Sequence, residues 1–181
     1  MLRGTRLHLL LEHLPHHPAA DWPRLARAVL AGGEGGLPDA DELSDLLAEA
    51  QAVLSAPELA QVMQPGPGDE VLAEVALTAP LTGLGAGLGV LNGVIDRLII
   101  GPDRILAVDY KTNADVPAAP QATPLGILRQ MAAYRAALRG IWPRHRIEVA
   151  VLWTATRSLS VLPDALMDDA LAGLDPRPPR P

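Results

Sequence analysis

The stretch GVIDRLIIGPDRILAVDYKT, residues 93–112, decides the fold. Gly101-Pro102-Asp103 is turn chemistry between two runs rich in aliphatic residues, so residues 90–100 and 104–111 read as the strands of a hairpin. In the second strand the even positions Leu106, Val108 and Tyr110 form one face. The odd face runs Ile105, Ala107, Asp109, Lys111, apolar at its start and charged at its end. In the first strand Asp96 shares its face with Val94, Leu98 and Ile100, and a carboxylate among aliphatic side chains needs a partner or a metal. Counting outward from the turn pairs Ile100 with Arg104 and sets Asp96 opposite Asp109, or one residue from opposite. Facing Cβ atoms lie about 4.5–5.5 Å apart, so two such carboxylates can share one small divalent ion. Without a cation they repel. Lys111 adds the positive group, and oxygen donors select a hard ion such as Mg²⁺ or Mn²⁺. Asp96, Asp109 and Lys111 together suit hydrolysis of a phosphodiester. A structural Asp/Lys pair at a strand end is the alternative reading of the same residues.

Working outward, residues 70–77 form a further strand ahead of the hairpin, and Val75–Ile95 between them is a 21-residue run without charge. As a helix that run is long enough to cross a bilayer. Pro80 and glycines 83, 85, 87, 89 and 93 argue against it, at about 3 kcal/mol for the proline and about 1 kcal/mol for each glycine. Two strands joined by a glycine-rich turn fit better, and no Gly-Lys-Ser/Thr follows to make the glycines a phosphate loop. Upstream the period is helical: Leu7, Leu10, Leu11 and Leu14 recur before Pro15, Trp22–Ala31 ends at Gly32-Gly33, and Asp39 caps a third helix that runs to about Leu54. Downstream, residues 115–124 are a proline-rich loop. Residues 125–138 form a helix with Ile127, Met131, Tyr134 and Leu138 on one stripe. Strands at 147–153 and 158–161 precede a last helix from Asp164, and the proline-rich tail 175–181 reads as frayed. This order of helices, three strands, helix, two strands and helix predicts an α/β fold on one mixed central sheet flanked by helices. We expect a single domain: a helical N-terminal part at 1–62, a core at 69–172 and the tail at 175–181.

The 181 residues carry 15 Lys+Arg against 21 Asp+Glu, a formal charge of −6, and 49% are hydrophobic. Aromatics make up only 3%, which argues against a single-strand binder built on stacking platforms. The absence of cysteine excludes disulfides, thiolate zinc sites and iron–sulfur clusters. Lys111 is the only lysine. Residues 1–12 lack the long apolar core of a secretory signal, so an intracellular protein is expected. The acidic balance predicts weak DNA binding by the chain alone, because phosphate contacts come from Lys and Arg. Arg97, beside Asp96, and Arg129 and Arg135, on the helix that carries Tyr134, are candidate phosphate contacts.

Several motifs stand in a fixed order: Arg3-Gly4-Thr-Arg-Leu-His8-x-Leu-Leu-x-x-Leu14-Pro15, Gly93-Val-Ile-Asp96-Arg97, Asp109-Tyr-Lys111-Thr112, Gln130-x-x-x-Tyr134 and Leu152-Trp153-Thr154. On these, from Gly4 to about Leu171, the chain resembles the RecB-type nuclease domain of the PD-(D/E)XK superfamily, most closely the C-terminal nuclease domain of AddA. The resemblance implies a restriction-endonuclease-like core with a helical N-terminal segment. It implies a Mg²⁺- or Mn²⁺-dependent DNA exonuclease of an AddAB/RecBCD-like helicase–nuclease, acting on single- or double-stranded ends in double-strand break repair and recombination. His8, Asp96, Asp109 and the Tyr110 carbonyl would be metal ligands, with Lys111 catalytic. Gln130 and Tyr134 would position substrate or active-site groups. Taken alone, His8 is a half-exposed helix histidine, and Tyr134 also suits packing. His13, His16, His17 and His145 read as solvated. Glu74 stands where the family often has an acidic residue, and equally reads as a surface charge. The implied partners are DNA, the helicase part of the same parent chain and an AddB-type subunit, with no membrane. The implied location is the bacterial cytoplasm, at the nucleoid during repair. The lack of cysteine separates this chain from iron–sulfur relatives such as AddB. With no Walker A loop, it reads as an excised C-terminal domain. A non-catalytic interaction module of the same fold, or a stand-alone nuclease acting on another nucleic acid, are the other readings.

Overall fold

The computed structural model describes residues 2–80 and 90–172. The glycine-rich turn at 81–89 and the tail at 175–181 lie outside the described residues. The chain divides into two compact units: Met1–Pro67, Tyr110–Ala114 and Leu152–Leu159 form the first, and Gly68–Asp109, Asp115–Val151 and Ser160–Pro181 the second.

The first unit is largely helical: α1 (Leu2–His13), α2 (Trp22–Gly32), α3 (Ala40–Ser55) and the short α4 (Ala60–Met63). The leucines spaced three and four apart in α1 bury Leu7, Leu10 and Leu11 completely, with Leu14 just beyond. They pack against α2 and α3, where Ala26, Leu30, Leu46, Ala50 and Val53 form the facing core. Asp39 caps α3 by accepting the Glu42 amide at 2.8 Å, as its sequence position predicts. Arg6, on the inner side of α1, reaches Glu42 and the carbonyls of Gly35 and Gly36, and so fixes the glycine loop after α2.

The second unit carries most of the sheet: β1 (Glu70–Pro80), β2 (Val90–Ile100), β3 (Arg104–Lys111), then α5 (Leu125–Ile141), β4 (Arg146–Trp153), β5 (Ser158–Val161) and α6 (Asp164–Ala172). The strand order is β1-β2-β3-β4-β5. The described parts of the uncharged run, 75–80 and 90–95, therefore belong to two antiparallel strands, paired from Glu70↔Ile100 to Pro80↔Val90, and no described helix is long and apolar enough to cross a membrane. β2 and β3 pair antiparallel, with Ile100 opposite Ile105. That corrects the expected Ile100–Arg104 pair by one residue. The Gly101 amide donates to the Arg104 carbonyl at 2.8 Å, so only Pro102 and Asp103 stand in the turn.

After the α5 crossover β4 runs parallel to β3: Arg146 donates to Asp103 at one end and Thr154 to Lys111 at the other, with the same spacing. The sheet is thus mixed, as expected. Helix α5 buries Leu128, Met131, Tyr134 and Leu138. Arg135 is only 2% exposed, donates to the carbonyl and carboxylate of Asp164 and to Asp168, and pins α6 to α5. Arg97 is also buried, at 4%. Neither is a surface phosphate contact, which corrects that expectation. The charge pattern alone conceals this, because both stand beside motif residues.

Candidate active site

In the second unit, the register places three carboxylates on one line across adjacent strands. One step beyond the pair Arg97↔Val108 of β2 and β3 come Asp96 and Asp109. Between Ala73↔Arg97 and Val75↔Ile95 of β1 and β2 stand Glu74 and Asp96, where regular pairing is interrupted. Glu74 has φ +49, left-handed backbone that costs a non-glycine residue about 1–2 kcal/mol. Such strain persists only where surrounding structure imposes it, and it collects at functional sites. The sequence holds no turn residue here, so the kink was not legible. One carboxylate oxygen each of Glu74 and Asp96 lie within 4.8 Å of one another. Oxygen donors bind Mg²⁺ at about 2.1 Å and Ca²⁺ at about 2.3–2.6 Å, so this separation suits one divalent ion between them.

Asp109 is 3% exposed and ends the apolar part of β3. Its Oδ1 accepts a hydrogen bond from Gln130 Nε2 at 3.0 Å. The same amide nitrogen donates to the Tyr134 hydroxyl at 3.1 Å, and that hydroxyl donates to the Val94 carbonyl at 2.8 Å. Both amide hydrogens of Gln130 are thereby used, which fixes its orientation. Gln130 and Tyr134 are one turn apart on α5, the spacing that lets them meet. Tyr134 is 3% exposed. Its burial raises the phenol pKa above 10.0, and the charges of Asp109 and Asp96 raise it further against the opposing hydrogen bond from Gln130. The phenol stays protonated and donates. Gly93 in β2 lets the tyrosine pass over the strand, since a Cβ there would lie 2.7 Å from Tyr134 Cε1.

The first unit holds the remaining motif residues. Tyr110 is buried, and the His8 ring of α1 sits edge-on to it, with centroids 5.6 Å apart and planes at 81°. Lys111 is half-buried at the end of β3, and its carbonyl accepts the Thr154 amide at 3.0 Å. A Cβ at Gly4 would lie 3.0 Å from Thr112 Oγ1, which explains the small residue one turn before His8. Of the other histidines, His16 and His17 are exposed, while His13 and His145 are half-buried.

The model of the PD-(D/E)XK nuclease superfamily matches residues 2–160. No curated protein matches the chain. With a match over most of its length, a mixed five-stranded sheet with flanking helices and a helical N-terminal segment, the chain belongs to the PD-(D/E)XK nuclease superfamily.

Proposed function

We propose that the chain is a metal-dependent deoxyribonuclease of exonuclease type, the nuclease domain of an AddAB/RecBCD-like helicase–nuclease that processes double-strand DNA ends. The observation that carries the reading is the buried Asp109 held by Gln130, in register with Asp96 and then Glu74. Asp96 and Asp109 would hold Mg²⁺ or Mn²⁺, joined by Glu74, which the structure sets beside Asp96. The motif resemblance adds His8 and the Tyr110 carbonyl. The cation supplies charge neutralisation on the phosphoryl group and lowers the pKa of water.

The chain's own side chains do the rest. Gln130 holds the Asp109 carboxylate in one orientation, and Tyr134 braces Gln130 against the Val94 carbonyl. Lys111 orients the attacking water or stabilises the developing charge. A net charge of −6 supports a module to which a motor and partner subunit deliver DNA, rather than one that captures it alone.

The test is degradation of linear single- and double-stranded DNA by the purified chain with Mg²⁺ or Mn²⁺, with EDTA and Asp109→Ala as controls. Metal-dependent cleavage that disappears in Asp109→Ala and in Lys111→Ala, with both variants folded, is the expected result. Cleavage retained by either variant removes the proposed roles. Metal-binding calorimetry that detects no carboxylate-dependent ion favours a non-catalytic module.

A further inference from the structure

Glu49 belongs to no motif, yet its carboxylate stands at a branch point of the first unit. It lies on α3 with its side chain 18% exposed. Oε2 accepts from Arg3 Nη2 of α1 at 2.5 Å, and Oε1 accepts from Thr154 Oγ1 at 2.7 Å. Arg3 is five residues before His8 on the same helix. Thr154 is 1% exposed, and its amide donates to the Lys111 carbonyl. Next to Lys111 in the chain is Tyr110, whose ring meets His8. The contacts close a ring: Arg3, Glu49, Thr154, Lys111, Tyr110, His8 and back along α1 to Arg3.

Energetics indicate that this ring sets geometry more than stability. Arg3 is 48% exposed, and an ion pair to so exposed a cation contributes little to stability. The buried Thr154 hydroxyl needs an acceptor, and Glu49 is the one it has. Holding a long carboxylate side chain in one rotamer costs conformational entropy, which the two hydrogen bonds offset. What remains is fixed placement: the helix bearing His8 and the strand end bearing Lys111 are tied to the same carboxylate.

We propose that Glu49 is a positioning residue, which fixes α1 with His8 to the strand end that carries Lys111. The inference rests on the nuclease reading above and adds a residue to that site. It is tested with Glu49→Ala and Glu49→Gln by three readouts: the melting temperature, kcat and KM on linear DNA with Mn²⁺, and the His8 Cε1–H resonance of the metal-free protein at fixed pH. In Glu49→Ala the His8 resonance should move as its placement on the Tyr110 ring changes. Its kcat per folded molecule should fall about 10–100-fold, the range seen when residues that orient ligands are removed, with KM changed less than about twofold. Glu49→Gln, whose amide oxygen still accepts from Thr154, should recover most of both. A wild-type His8 resonance with kcat within about twofold in Glu49→Ala overturns the inference. If the wild-type chain cleaves no DNA, the His8 resonance alone decides the placement, and an unmoved signal overturns it; the nuclease reading itself fails when the chain also binds no carboxylate-dependent ion. Should Glu49→Ala not fold, Thr154→Val makes the same comparison by removing the hydroxyl alone.

Discussion

Gly93 and Tyr134 approach more closely than any side chain at position 93 allows: a Cβ there would lie 2.7 Å from both Cε1 and the hydroxyl of the tyrosine. The hydroxyl is thereby brought to the Val94 carbonyl and to Gln130, which holds Asp109. The glycine three residues before Asp96 and the tyrosine four residues after Gln130 are therefore parts of one device, although Val94, the tyrosine's acceptor, lies 40 positions from it in the chain.

Gly93→Ala should destabilise the protein by about 1–3 kcal/mol, the usual cost of inserting a methyl group into a filled site. The colliding atoms belong to a ring only 3% exposed, so the tyrosine has little room to yield. Cleavage should fall as Gln130 loses its brace. Thermal melting and a cleavage assay check both. An alanine variant with wild-type melting and activity removes the tight approach from the account.

Glu74→Gly should separate stability from function. Glycine adopts φ +49 without the penalty a glutamate bears, and the change also relieves carboxylate repulsion beside Asp96. The metal-free protein should hold its stability or gain up to about 1 kcal/mol in urea unfolding. Metal-dependent cleavage should drop. Lost stability with unchanged cleavage would show Glu74 to be a structural residue.

Much of this was legible beforehand, for identifiable reasons. Gly101-Pro102-Asp103 and the flanking aliphatic runs fixed the β2–β3 hairpin, and the spacing Gln130 to Tyr134 placed both side chains on one side of α5. The hairpin register was missed by one residue, because turn residues do not say which pair closes the ladder; Gly101 pairs with Arg104. Glu74 was ambiguous because a strained φ leaves no mark in composition. Arg135 was misread because its acidic partners, Asp164 and Asp168, lie 29 and 33 residues away. Glu49 was invisible for the same reason: its hydroxyl partner is 105 residues distant.

The Arg135 clamp predicts an acid-range loss of stability. Burial pushes the Asp164 carboxyl upward, but the hydrogen bond and charge of Arg135, joined by Arg139, outweigh it and hold the pKa below 3.8. A depressed carboxyl contributes stability above its unfolded pKa, and that contribution disappears as pH falls through the folded value. Asp164→Asn combined with Asp168→Asn should therefore lower the melting temperature at neutral pH and flatten its fall toward pH 3. Arg135→Met should be milder, because it leaves no buried guanidinium short of partners. Melting curves across the acid range check the order. Cleavage per folded molecule should not change in these variants, since the clamp lies outside the carboxylate line.

Tyr134→Phe should reveal the opposite sign at alkaline pH. Burial and the nearby carboxylates raise the phenol pKa above 10.0 in the folded chain, while the unfolded chain titrates at the ordinary value. Below about pH 10 both states keep the proton, and the hydroxyl contributes its hydrogen bonds in full. Above that value the unfolded chain releases the proton first, so stability is lost as pH rises toward the folded pKa, with a slope of at most about 1.4 kcal/mol per pH unit. Phenylalanine has no such proton. At pH 8 the metal-free variant should be less stable by about 1–3 kcal/mol, because the Val94 carbonyl and the Gln130 amide lose a buried partner. Toward pH 11 the gap between wild type and variant should narrow. Urea unfolding of both proteins at the two pH values is the check, and a constant gap would mean that the phenol is neither buried nor near the carboxylates in solution.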